Sequence, residues 1–137
     1  ALTLDPDTAH PNLILFDRGK KVAYEKIKRE LPDNPERFDY CPCVLAKEGF
    51  SSGKFYFEVQ VKGKTDWDLG VVRESINRKG MITATPEYGY WIIMLRNDQY
   101  LACESSTVSL SLKVKPQVVG VFVDYEGGLV SFYDGES

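Results

Sequence analysis

Apolar and polar residues alternate with a period of two along Lys54-Phe55-Tyr56-Phe57-Glu58-Val59-Gln60-Val61-Lys62. Phe55, Phe57, Val59 and Val61 then share one side and Tyr56, Glu58, Gln60 and Lys62 the other, whereas helical spacing would scatter both sets around a circumference. The stretch predicts a strand with one wet face. Shorter runs of the same kind recur at 13–16, 22–25, 43–46, 66–72, 89–96, 99–103, 108–112, 118–123 and 129–133, separated by Gly, Pro, Asn, Asp or Ser. Helical turns are expected only at 24–31 and 73–77, and Pro32 and Pro35 stop the first. Many short strands with frequent turns predict an all-β chain folded as a sandwich or barrel. The last two runs flank Asp124, Tyr125, Glu126, Gly127 and Gly128, the pattern of a β-hairpin.

Strand faces also locate a candidate surface. Within 66–72, Trp67, Leu69 and Val71 form an apolar side and leave Asp66, Asp68, Gly70 and Val72 opposite. Within 89–96, Trp91, Ile93 and Leu95 point one way, while Tyr90, Ile92, Met94 and Arg96 point the other and include residue types favoured at protein interfaces. An outward Met and Arg at a strand's loop end predict a contact surface.

Composition narrows the choices. At 137 residues the chain is one domain's worth, long enough to bury about two thirds of its unfolded surface. Hydrophobic residues make up 43% and aromatics 12%, against disorder, and a net charge of -3 disfavours general binding to nucleic acid or an anionic membrane. No apolar run reaches the ~18 residues of a membrane span, and Asp5 and Asp7 stand where a signal peptide would be basic and then apolar. A soluble, trimmed, cytoplasmic domain is expected.

Catalytic constellations are sparse. Cys41, Cys43 and Cys103 are an odd set that predicts reduced thiols, and Cys41-Pro42-Cys43 lacks the C-x₂₋₄-C spacing of a zinc chelate. No metal and no cofactor are expected. His10, the only histidine, lies in the turn-like Thr8-Ala9-His10-Pro11-Asn12 and is expected to be an exposed loop residue. Strand 54–62 offers Glu58 alone where a glycosidase needs two carboxylates, and Asp66 and Asp68 are expected as solvated rim residues.

Five ordered strings carry a family resemblance: Leu4-Asp5-Pro6-Asp7-Thr8-Ala9, Asp33-Asn34-Pro35-Glu36-Arg37-Phe38, Phe55-Tyr56-Phe57-Glu58-Val59, Trp67-Asp68-Leu69-Gly70-Val71 and Val123-Asp124-Tyr125-Glu126. Together they resemble the PRY-SPRY domain over essentially the whole chain, with 1–50 as the PRY part and 51–137 as the SPRY part. Phe57 departs from the family's usual Trp but keeps an aromatic on the apolar face. The resemblance implies a bent two-sheet antiparallel β-sandwich of the concanavalin-like jelly-roll kind. It further implies a non-enzymatic module that recognises target proteins, as at the C-terminus of tripartite-motif ubiquitin ligases, in butyrophilins and in fish NOD-like receptors of innate immunity. By the same resemblance, ligands meet the loop at 17–29 and the strand positions Asp68, Met94 and Arg96, the strand set being the one that alternation selects. Expected partner-binding residues are therefore Arg18, Lys20, Lys21, Asp68, Met94, Arg96 and Tyr100. Arg96 and Asp68 would supply polar specificity, Met94 and Tyr100 apolar contact, and the basic loop would suit an acidic epitope. The alternative is a butyrophilin-like sensor of phosphorylated metabolites, which needs several converging cations. Family domains continue for a few more strands beyond a segment like Val130-Ser131-Phe132-Tyr133, so the chain is also expected to lack its last strands. An edge so exposed would aggregate, swap, or accept the missing strands from another chain.

Overall fold

The computed structural model describes residues 2–103, 108–110 and 115–135. Contacts divide the chain into two compact units, Ala1–Gly49 with Asn77–Thr83 and Phe50–Ile76 with Ala84–Ser137.

In the first unit, β1 (Leu13–Phe16) and β2 (Lys21–Tyr24) pair antiparallel, Leu13 opposite Tyr24 and Phe16 opposite Lys21. The turn between them places Asp17, Arg18 and Gly19 in succession at positive φ, and the Lys20 amide donates to the Asp17 carbonyl at 3.1 Å. The rest of the unit is largely irregular, so its carbonyls lack a ladder to accept from. Arg37 supplies the missing donors. Only 5% exposed, it donates from Nε to the Pro32 carbonyl (2.8 Å) and Asn34 Oδ1 (3.2 Å), and from Nη1 to the carbonyls of Pro6 (3.0 Å) and Ala9 (2.7 Å). Phe38 beside it is 2% exposed.

The expected strand at 43–46 does not form; Ala46 makes a single bridge with Leu4. Pro42 has no N–H, and the segment bonds piecemeal to a chain bent by Pro6 and Pro11: Asp5 N to Leu45 O, His10 N to Cys43 O and Leu45 N to Thr8 Oγ1. Of the helical turns expected at 24–31 and 73–77, the first is absent and the second is a single turn, Ile76 N to Arg73 O at 3.3 Å, that does not continue into a helix. The described helical turn is a 3₁₀ segment, Pro86–Tyr88, begun by its proline and ended by Gly89 at φ 93°. His10 is not exposed: only 6% of it is accessible, and its Nδ1 accepts from the Asn12 amide at 3.0 Å. A Pro- and Asn-rich turn reads as surface, but this one folds its ring inward.

The second unit is a sandwich. One sheet runs β3 (Lys54–Gln60), β8 (Val118–Asp124) and β9 (Leu129–Asp134); the other runs β4 (Trp67–Val72), β5 (Tyr90–Arg96), β6 (Gln99–Cys103) and β7 (Val108–Leu110). Every pairing is antiparallel. Phe57 lies opposite Val121 and Val121 opposite Phe132, so alternate residues of three strands face one way and meet Trp67, Leu69, Val71 and Ile93 from the other sheet. Val121 is fully buried in that layer. Among the described residues β9 is an outermost strand of its sheet, and no helix is long and apolar enough to cross a membrane.

A Cβ at Gly70 would overlap the Trp91 carbonyl oxygen and stand 2.8 Å from Ile92 Cα, both backbone atoms of the paired strand. Gly70→Ala is expected to cost about 3 kcal/mol in urea unfolding, the upper part of the range for overpacking, and Val121→Ala about 2 kcal/mol. The His10 imidazole is held below its ordinary pKa of 6.5, chiefly by burial, with Lys28 adding. The unfolded chain then binds the proton first, so stability is full above about pH 6.5 and falls as pH drops through that value toward the folded pKa. Melting temperatures from pH 7.5 to 5 should show this slope in the native protein and a shallower one in His10→Gln.

Candidate functional site

The register of β4, β5 and β6 sorts their side chains into two faces. Trp67, Leu95 and Tyr100 lie opposite one another in one row, as do Leu69, Ile93 and Ala102, and these rows face the sandwich interior. The outward rows are Asp68–Met94–Leu101 and Gly70–Ile92–Cys103, with Arg96 paired to Gln99 at the end. The outer face is open at its Arg96 end. Toward the other end it is closed, for Tyr90 and Cys103 are only 5% and 7% exposed. Burial pushes the Cys103 thiol up, and the charge of Asp68 adds to the effect, so this sulfur is not poised as a thiolate.

Arg96 organises the open end. Its Nη1 donates to Asp66 Oδ1 at 2.6 Å and its Nη2 to Asp68 Oδ1 at 2.5 Å, while Nη1 also reaches the carbonyls of Leu95 (2.9 Å) and Trp67 (3.2 Å). The side chains remain accessible, at 37% for Arg96, 41% for Asp68 and 70% for Asp66. Asn97 and Asp98, both at positive φ, form the two-residue hairpin turn that brings β6 back beside Arg96. The result is a fixed guanidinium between two carboxylates, next to the apolar Met94 and Leu101. Such a surface can present directed charge and apolar area to another molecule, but its one strand cation already has two anionic partners.

Asp68, Met94 and Arg96 thus come together on one face. Tyr100 does not join them: it lies on the inner face opposite Leu95, its ring 6.3 Å from that of Trp67 and its hydroxyl buried without a partner. Burial raises its pKa, with Asp98 contributing. Leu101 stands opposite Met94 instead, and the two-residue Asn97-Asp98 turn carried that information, since pairing Arg96 with Gln99 places Leu101 across from Met94. Asp66, read as a solvated rim residue, is a direct partner of Arg96. Arg18, Lys20 and Lys21 belong to the first unit, where they occupy the β1–β2 turn and the start of β2, all exposed. Among the described residues, no group of three or more His, Cys, Asp or Glu is placed to hold a metal ion.

Comparison with known proteins joins this geometry to a family. The model described as "SPRY-associated domain" (PRY) matches residues 2–50, and that of the SPRY domain matches 54–137. "Nuclear factor 7, ovary" of Xenopus laevis is 51% identical over 99% of this chain and 22% of its own length. For the E3 ubiquitin-protein ligase TRIM69 of Rattus norvegicus the values are 51%, 97% and 27%, and for butyrophilin subfamily 1 member A1 of Mus musculus 48%, 97% and 25%. The chain therefore spans about a quarter of the length of these relatives. The solved PSpry domain of TRIM65 superposes with a TM-score of 0.84 over 98% of this chain and 72% of its own; at 24% identity it bears on the fold alone. Stonustoxin superposes with a TM-score of 0.82 at 26% identity, over 98% of this chain and 22% of its own. The chain belongs to the SPRY domain family, a non-catalytic binding fold, and carries the SPRY-associated PRY segment ahead of it.

Proposed function

We propose that this domain recognises a target protein through the open end of the β4–β5–β6 face, with Asp66, Asp68, Met94, Arg96 and Leu101 in contact. The observation that carries the reading is the Arg96 guanidinium, held by two carboxylates and two carbonyls yet still accessible beside apolar side chains. Preorganised charge of this kind loses little entropy on binding and sets specificity. The exposed cations Arg18, Lys20 and Lys21 form a second contact region that suits acidic groups on the partner. The E3 ubiquitin-protein ligase TRIM69 among the relatives supports a parent that uses the domain to select substrates for ubiquitin transfer; a role in innate immunity and a cytoplasmic location belong to the same proposal.

The butyrophilin relative keeps a second reading in play, the sensing of a phosphorylated metabolite. The β4–β5–β6 face does not favour it. Two carboxylates already neutralise Arg96, and an entering phosphate would have to displace them.

Capture from cell extract tests the main reading. Proteins retained by the native domain should be lost when Met94 and Arg96 are both replaced by alanine, while stability falls by about 1 kcal/mol or less because the ion pairs are half exposed. Equal recovery by both forms rejects this face. Association that slows with added salt in the native domain, and less so in the Arg18/Lys20/Lys21 alanine variant, supports the basic turn. Calorimetric titration with inorganic pyrophosphate should show no heat; saturable binding would favour the metabolite sensor.

A further inference from the structure

The other sheet of the sandwich also has an outer face, directed away from the Arg96 surface. Its rows follow from the register: Lys54–Asp124–Leu129, Tyr56–Phe122–Ser131 and Glu58–Gly120–Tyr133. Gly120 leaves a gap in the third row, and the Tyr56 side chain fills it. A Cβ at Gly120 would overlap the Tyr56 hydroxyl and stand 2.8 Å from its Cζ and 3.0 Å from Cε1, so the ring lies down across β8. Its hydroxyl donates to Glu58 Oε2 at 2.9 Å. Tyr133 flanks the glycine from β9, and the two tyrosines are 50% and 54% exposed.

The charge here is one-sided. Lys54 and Asp124 share a row, but Glu58 has no ion pair among the described residues, and its Oε2 is held only by the neutral Tyr56 phenol. The hydrogen bond to Glu58 is also the main cause that raises the Tyr56 pKa, which keeps that phenol protonated. Electron-rich ring faces attract cations, and a carboxylate at their edge adds direct charge. A planar guanidinium can lie on a ring while donating to the carboxylate, which an ammonium does less well.

We propose that Tyr56, Glu58 and Tyr133 form a docking site for an arginine side chain on a basic segment of a partner protein. The commitment to an arginine rests on the uncompensated Glu58 carboxylate at the edge of the exposed Tyr56 ring, with the exposed Tyr133 in the same row across Gly120, a charge and shape that no apolar or acidic occupant would satisfy. The site is independent of the β4–β5–β6 surface, since the two lie on opposite sides of the sandwich, and it can hold if that surface fails.

The probe is the peptide acetyl-Gly-Arg-Gly-amide, titrated into the protein carrying this chain and followed by amide and tyrosine-ring NMR shifts. The arginine peptide should move the signals of Tyr56, Gly120 and Tyr133 and bind more tightly than its lysine analogue, while the glutamate analogue should leave them unmoved. Glu58→Gln should weaken binding at least about fivefold; Tyr133→Ala should weaken it similarly and Tyr133→Phe should not, because the ring and not its hydroxyl is used. Gly120→Ala, which pushes the Tyr56 ring off β8, should abolish it, with native-like dispersion of the remaining spectrum as the check on folding. Shifts that map elsewhere, or binding unchanged by Glu58→Gln, would overturn the proposal. So would protection of these residues by a second copy or by another segment of the same polypeptide, and so would preference for a neutral sugar over arginine.

Discussion

Val121 is fully buried because β8 runs between β3 and β9 with its inner face against the second sheet, and much else in the second unit follows from that placement. Once Val119, Val121 and Val123 point inward, strand geometry obliges Gly120 and Phe122 to point outward. The same constraint acts through Leu69 and Ile93 on the other sheet and leaves Asp68, Met94 and Arg96 outside. A slip of one residue in either sheet would exchange core and surface along the whole strand. The binding faces are thus by-products of the core.

Each outer face is then specialised by a local device. On β4–β5–β6 it is the Arg96 guanidinium, whose several donors join two carboxylates and two carbonyls into one rigid cluster. On β3–β8–β9 it is a missing side chain: Gly120 lets an aromatic ring lie across a strand where any Cβ would collide with it. The first unit is built on a different principle. Little of it is regular, and buried Arg37 does for its scattered carbonyls what a β-ladder does elsewhere.

This difference explains what could be read along the chain. Strand 54–60 announces itself by alternation because it buries one side only, while 67–72, 90–96, 99–103, 118–124 and 129–134 are legible as short apolar runs bounded by turn residues. The segment at 43–46 carries the same apolar signature but pairs with a chain interrupted by Pro6 and Pro11, and its bonds are too irregular for a strand. His10 misleads in the same way, because a turn's composition says nothing about which way its ring is folded. Tyr100 is expected in the contact surface but faces inward, because alternation within 99–103 does not say which side is outward, whereas the pairing set by the Asn97-Asp98 turn does.

By itself the sequence determined the all-β class and the two side-chain sets of most strands, including Met94 with Arg96 on one side of their strand, since period-two geometry is a property of each strand alone. Only the tertiary structure decided that Asp68 stands across from Met94 on one sheet face, that Asp66 and Asp68 clasp Arg96, and that Tyr56 lies over Gly120 next to Glu58. Those contacts depend on cross-strand register and on the close approach of side chains from different strands, and neither is encoded in the periodicity of any one of them.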